Sequence, residues 1–289
     1  MNSLSYDVFL AALATLSLAF LLQLVAAMGG RSRLAFAGAA ASGGTATLQA
    51  DGGTNSSRRN ASILAVNGFI FLSVALVLRA FASGHGPFTS MFEFSLAFAW
   101  GVLALLLFFE RRYRFETLAI IVLPVAIGLL AYAATIPSGA EPLVPALQNQ
   151  FLLTVHVAVA IIAYGAFTVA FAAAVLYLVQ RHDSVGWLPR SEVLDEVAYR
   201  SVLVGFPLLA LTILLGAIWA EIAWGTYWSW DPKETASLAT WLIYGGYLHA
   251  RVVREWRGQR SAYFLIGGFA ATLFTYYGNL FFGGLHGYA

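Results

Sequence analysis

Four histidines and a run of tryptophans are the side chains of this 289-residue chain best placed to do chemistry. His85 and His286 each sit among glycines, Gly84 and Gly86 around the first, Gly283, Gly284 and Gly287 around the second. Glycine lets backbone approach a bulky ligand closely. His156 and His249 lie inside long apolar runs, where an ionisable group is costly and marks a functional site or a buried partner. Imidazole is a common metal ligand, and no carboxylate or thiol cluster with metal-cage spacing accompanies these four. The fifth histidine, His182, stands between Arg181 and Asp183 and reads as solvated.

Ile218 to Arg251 holds five of the eight tryptophans: Trp219, Trp224, Trp228, Trp230 and Trp241. An interfacial aromatic belt explains two or three of them, but not the turn WSWDPKE that separates them. A flat aromatic surface sharing a face with paired imidazoles points to a planar metal-bearing ligand, haem, ahead of zinc or copper. Within the turn, Asp231 and Pro232 read as the N-cap and first residue of the next helix. Lys233 has two readings, a partner for a haem propionate or part of the helix start. Glu93 also has two, orienting an outer ligand or facing the bundle interior.

What positions these residues follows from composition. The chain is 60% hydrophobic and 10% charged, too few polar groups to solvate a globular surface, so the fold class is an all-α polytopic membrane protein. A net charge of +2 with no basic stripe excludes nucleic acid as a partner. With no cysteine there is no disulfide and no thiol chemistry of its own. Eight apolar runs reach membrane-spanning length, near 6–28, 61–82, 90–109, 116–134, 151–179, 202–221, 234–253 and 261–282. The first lacks a basic leader and reads as a retained helix, not a signal peptide.

Arginines mark every odd loop: Arg31, Arg33, Arg58 and Arg59, then Arg111, Arg112 and Arg114, then Arg181, Arg190 and Arg200, then Arg251, Arg254, Arg257 and Arg260. Only Arg79 and Lys233 fall elsewhere. The positive-inside rule then makes odd loops cytoplasmic and both termini outside, which puts His85, His286 and the tryptophan turn on one outer face. Residues 1–289 read as a single membrane domain. Within it, residues 29–60 read as a flexible cytoplasmic loop, and 189–200 as a short helix with Val193, Leu194 and Val197 on one face, lying along the membrane surface or meeting a partner.

The segment 218–251, with its DPKE turn and YLHAR ending, resembles the tryptophan-rich WWD signature of the CcsA (ResC) family of cytochrome c biogenesis System II. GHGPFTSMFEF, HVAVAIIAYGAF and GNLFFGGLHGY resemble that family's other histidine segments, in the same order. The sequence departs from the pattern at MFEF and at Ala236 and Ser237. The resemblance implies a subunit of a cytochrome c haem lyase (holocytochrome c synthase). It would carry b-type haem to the outer face of the bacterial inner membrane and present it to Cys-x-x-Cys-His apocytochromes. It implies a CcsB/ResB-type partner and thiol-reducing proteins. His85 and His286 would hold iron beneath Trp224, Trp228, Trp230 and Asp231, and His156 and His249 would hold or pass haem within the membrane. Three other readings stay open: a WWD protein of System I, a haem transporter without lyase activity, and a cytochrome b-like electron-transfer subunit.

One expectation is geometric. At ~1.5 Å per residue, His249 lies about 25 Å beyond Pro232, whereas His156 lies about 8 Å beyond Phe151. One haem cannot bridge those depths unless a helix end projects from the bilayer or a loop dips into it. Otherwise the two act as successive stations.

Overall fold

The computed structural model describes residues 2–40, 52–139, 150–180, 183–277, 282 and 284–285. His182, His286 and most of the loop before Phe151 lie outside the described residues. Those described form eight helices: α1 (Asn2–Ala40), α2 (Gly52–Ser83), α3 (Met91–Tyr113), α4 (Ala119–Thr135), α5 (Gln150–Val179), α6 (Ser191–Trp224), α7 (Pro232–Val253) and α8 (Gln259–Tyr277). Five are long and apolar enough to cross a membrane: α1, α2, α3, α5 and α6. The chain is an all-helical multi-pass membrane protein. Helix α4 is apolar but has only 17 residues, and α7 and α8 are diluted by Lys, Glu, Ser, Thr, His and Arg. All three pack against the five.

Helices α3 and α5 form the centre. Their most apolar windows are 72% buried, against 28% for α1, α2 and α6, so lipid-facing surface falls to the latter three. Helix α5 touches α3, α4, α6 and α8, while α1 and α2 pair and flank α3 and α4. The α3–α5 contact is made by backbone. A Cβ on Gly165 would stand 2.8 Å from the carbonyl oxygen of Gly101, and one on Gly101 3.0 Å from that of Ile161. Small residues permit this approach, and van der Waals packing then replaces the hydrophobic drive that lipid removes. On its other sides α5 uses rings. Phe167 stacks on Tyr244 of α7 at 3.7 Å and 6°, and Phe171 on Phe269 of α8 at 4.3 Å and 16°.

Two expected features differ. Residues 29–40 and 52–60 of the presumed flexible loop are helical, continuing α1 and α2. Alanine is frequent in 29–40 and has the highest helix propensity. Residues 189–200 do not form a separate surface helix: from Ser191 they are the first turns of α6, with Leu194 and Val197 fully buried. No helix breaker separates them from the apolar run, and Asp195 receives both guanidinium nitrogens of Arg251, at 2.8 and 2.6 Å.

Gly165→Ala is expected to destabilise the purified protein by about 1–3 kcal/mol, because the opposing atom is a carbonyl oxygen that no rotamer change can move. Gly267, where a Cβ meets nothing within 4 Å, is the control. Thermal unfolding in detergent checks the pair, with Gly267→Ala neutral or slightly stabilising.

Candidate functional site

A chamber opens between α3, α5, α6 and α8 beneath the tryptophan turn. Its walls include Phe94 and Phe98, His156 and Tyr164, Gly216 and Trp219, then Trp228, Lys233 and Tyr276. About 1010 Å³ of space lies between these walls, partly open to the surroundings, around a tight interior of about 120 Å³. The His156 ring rests on Gly216, where a Cβ would stand 3.0 Å from Cε1. That missing methyl group is what lets α6 pass the imidazole. Deeper, Phe98 stacks on Tyr164 at 5.3 Å and meets the edge of Tyr276 at 5.1 Å. The Tyr276 hydroxyl shares a hydrogen bond with Ser95. Lys233 places its amine 5.7 Å from the Phe94 ring centroid, a cation–π distance.

His85 belongs to the loop 84–90, which lies over the same end of α5. A Cβ on Gly86 would sit 3.2 Å from Thr154 Oγ1, two residues before His156. His85 Nδ1 lies 2.9 Å from the Gly86 carbonyl oxygen. A carbonyl only accepts, so Nδ1 is the donor of this contact and Nε2 is the ring nitrogen it leaves uncommitted. A backbone bond at one ring nitrogen is the usual way that the other is oriented toward a metal.

A buried ion pair fixes this loop. Arg79 of α2 and Glu93 of α3 meet at 2.7 Å with both side chains buried. Arg79 also donates to the carbonyls of Ser138 and Gly139. Glu93 accepts from both the backbone N–H and the hydroxyl of Thr89, at 2.9 and 2.8 Å. Of its two sequence readings, Glu93 therefore faces the interior, and in doing so ties down the strap that carries His85. An intramembrane charge is tolerated here because every polar atom of the pair finds a partner.

The tryptophan turn is held by its own acids. Glu234 accepts from the backbone N–H groups of Ser229 and Asp231, at 2.9 and 3.2 Å. Asp231 caps α7 through Lys233 N–H, completing a capping box. Its second oxygen accepts from Leu285 N–H at 2.7 Å, which anchors the chain next to His286. Asp231 thus has a full structural role. The three tryptophans do not lie in one plane. Trp228 and Trp230 meet at 89°, and Trp224 packs edge-on against buried Trp219 at 76°. Trp228 alone of the three lines the chamber, while Trp230 is 69% exposed on a backbone with φ of +60°. A left-handed conformation is strained for any residue with a Cβ and persists where the surroundings hold it.

His249 is not part of this group. It is exposed on α7, two residues before Arg251, which binds Asp195 at the opposite end of α6. Two rulers give its depth. Along α6, Gly216 beside His156 and Asp195 beside Arg251 are 216 − 195 = 21 residues apart, roughly 30 Å. Along α7, Lys233 in the chamber and His249 are 249 − 233 = 16 residues apart, roughly 24 Å. His85, His156, Trp228 and Lys233 gather at the tryptophan end, and His249 sits near the arginine end.

The role of Arg79 as partner to Glu93 escaped the sequence reading, although two opposite charges near apolar helix ends were a usable signal. Glu93→Ala should cost about 3–5 kcal/mol by leaving Arg79 buried without its carboxylate. Circular dichroism melts of the purified protein measure this. Replacing both partners, Arg79→Met with Glu93→Leu, should recover much of the loss.

The family model described as "Cytochrome C assembly protein" matches residues 89–286. That range includes the loop of His85 from Thr89 on, the chamber and the tryptophan turn. The cytochrome c biogenesis protein CcsA of Guillardia theta is 35% identical over 247 residues, covering 76% of this chain and 82% of the relative. CcsA of Prochlorococcus marinus strain NATL1A is 34% identical over 275 residues, covering 82% and 86%. Among solved structures, a cytochrome c heme lyase CcmF shares the fold with a TM-score of 0.64 at 22% identity. The alignment covers 96% of this chain and 46% of that longer one. With two thirds of its length inside the family model and CcsA relatives matching along most of theirs, the chain belongs to the cytochrome c assembly protein family, as a CcsA-type membrane subunit of cytochrome c maturation.

Proposed function

We propose that this protein is the haem-presenting subunit of a cytochrome c synthase, working as an eight-helix protein of the bacterial inner membrane with both termini and the tryptophan turn outside. It acts with a CcsB/ResB-type partner and with proteins that keep the substrate's cysteines reduced. The observation that carries this reading is the placement of His85: Nδ1 bonded to the Gly86 carbonyl and Nε2 left uncommitted, on a loop packed against Thr154 at the end of α5 that carries His156 into the aromatic chamber. The donor set fits haem. Imidazole nitrogens and aromatic walls suit a porphyrin's iron and faces. The tight interior of about 120 Å³ means that a porphyrin enters only as lining rings swing aside or stays at the mouth. Trp230, exposed and held in a strained turn, is suited to cover such a mouth.

In this mechanism haem is the substrate. Each cysteine thiol of the apocytochrome adds across a vinyl double bond, sulfur to one carbon and hydrogen to the other, so no oxidant is consumed. The chain's own residues do the positioning. His85 and His286 serve as axial ligands, one of which the incoming histidine of the Cys-x-x-Cys-His sequence displaces. Trp228 and Trp230 meet at a right angle, so they form a corner that holds one face and one edge, in place of a flat shelf, while Trp224 packs on Trp219 at the end of α6. Lys233 is placed to pair with a propionate, and Asp231 shapes the turn. Orienting the reacting groups in this way is where the rate advantage arises.

The depth gap supports His156 and His249 as successive stations. It counts against a cytochrome b-like subunit with one haem between them. A transporter without synthase activity is the second reading, and the same gap favours it. Formation of thioether bonds on an apocytochrome peptide by the reconstituted complex separates the two; a transporter yields none.

His85→Ala and His286→Ala are each expected to abolish cytochrome c maturation and to alter the six-coordinate haem spectrum of the complex. Unchanged spectrum and maturation in both variants would reject the axial-ligand assignment. Single variants His156→Ala and His249→Ala should each retain part of the bound haem, and the double variant should retain less than either. If one substitution alone removes all that the pair removes, measured as haem per protein, the two share a single haem.

A further inference from the structure

At the arginine end a second cavity, of about 950 Å³, lies between α2, the end of α3, the segment 115–117 and the start of α6. Five arginines from these separate segments converge on it: Arg58, Arg59, Arg111, Arg114 and Arg190. Against them stand two carboxylates, Glu110 and Glu116. Among the described residues, none of the five forms an ion pair. The positive-inside pattern alone does not require this, since at the same end Arg200 pairs with Glu196 and Arg251 with Asp195. Glu110 turns inward to accept from Ala119 N–H instead.

Two further observations point to a ligand. Thr117, only 6% exposed, is a lining residue whose buried hydroxyl has no hydrogen-bond partner, and the Oγ of Ser62, a lining residue on α2, is in the same state. Buried hydroxyls are ordinarily bonded, so two unbonded ones on residues that line one basic cavity suit an acceptor-rich group that a side-chain rotation would bring within reach. The cavity also continues into an apolar groove. Leu107 and Arg111 belong to both, and beyond them the groove, about 420 Å³, runs along Phe69, Ala104 and the exposed ring of Phe108. This groove lies between α2 and α3 and climbs from the arginines toward the middle of the membrane.

We propose that this paired cavity and groove bind an anionic phospholipid of the leaflet at the arginine end. The phosphate lies among Arg111, Arg114 and Arg190 and accepts from Thr117, and an acyl chain lies in the groove beside Ala104 and Phe108. Guanidinium suits the phosphate because its planar fork donates two parallel hydrogen bonds. A basic pocket between helices at the cytoplasmic side is a recognised kind of site for such headgroups. The surface in question is a lipid-facing one, so the ligand is already at hand. The same chemistry, an anionic group on an apolar body, also describes a porphyrin carboxylate, and the test separates them.

The full-length protein is reconstituted in phosphatidylcholine bilayers with trace spin-labelled phosphatidylglycerol or phosphatidylcholine. The motionally restricted fraction gives their relative association. The wild type should select phosphatidylglycerol. Arg111→Gln with Arg114→Gln should lower that selectivity roughly tenfold to thirtyfold. Ala104→Trp, which fills the groove and removes no charge, should lower it as well. Arg254→Gln with Arg257→Gln removes equal charge at the same end and should leave it intact. Matching thermal melts establish that the variants are folded. Equal loss in both arginine pairs means diffuse surface attraction and overturns the proposal, as does a wild type without selectivity. Preference for haemin over phosphatidylglycerol at the Arg111 and Arg114 site assigns it to porphyrin carboxylates and overturns it too.

Discussion

The contact of backbone on backbone between Gly101 of α3 and Gly165 of α5 sets the rest of this structure. It brings the two most buried helices so close that a Cβ on either glycine would meet the other helix's backbone, with Ile161 packed into the space that Gly101 leaves. Because it lies on α5 one residue past Tyr164 and nine past His156, it fixes the height and the facing of both. Tyr164 then stacks with Phe98 in the chamber floor, and His156 turns toward α6, where Gly216 leaves room for the ring. A larger residue at any of these glycines would push a wall of the chamber outward.

Above the chamber, two loops are fastened by the same device. Helix α3 opens with Ser90 and carries Glu93 three residues on, and α7 opens with Asp231 and carries Glu234 three residues on. In each case the glutamate reaches back to N–H groups of the loop that precedes its helix. One such loop carries His85 and the other Trp228 and Trp230. The helix N-terminus favours these carboxylates electrostatically, and the loops gain a fixed path without burying bare backbone. A candidate ligand and its candidate platform are thus held by the helix starts that follow them.

Much of this was legible in the chain before any coordinates. Hydropathy alone located all eight helices, since a spanning helix and a buried one are both apolar around much of their surface. The segments S-x-x-E at Ser90 and D-x-x-E at Asp231 are capping-box patterns readable at sight. Helix arithmetic already set His156 and His249 at different depths. Other features were not readable. The long low-complexity stretch at 29–60 hid helical ends because alanine-rich sequence looks alike in loops and in helices. The start of α6 passed for a surface helix because its apolar face does not say which neighbour it meets. Nor did spacing show that Trp228 and Trp230 meet at a right angle, because ring orientation depends on the positive φ of Trp230. The pairing of Arg79 with Glu93 depends on how α2 and α3 abut, which no local pattern records.

Two stations at opposite ends, with the chamber station under the tryptophan turn, are the centre of this account. The absence of native cysteine makes a direct distance measurement clean, because Tyr227→Cys carries a spin label as the sole thiol. Position 227 is exposed and lies at the chamber mouth. In the His249→Ala background, dipolar coupling between the label and bound ferric haem should place the iron roughly 12–15 Å away, the rise along α6 from Gly216 to Trp224 plus a short reach. In a background lacking every candidate ligand of the tryptophan end (His85→Ala, His156→Ala and His286→Ala) it should lie roughly 35–40 Å away. The same distance in both backgrounds would contradict the account.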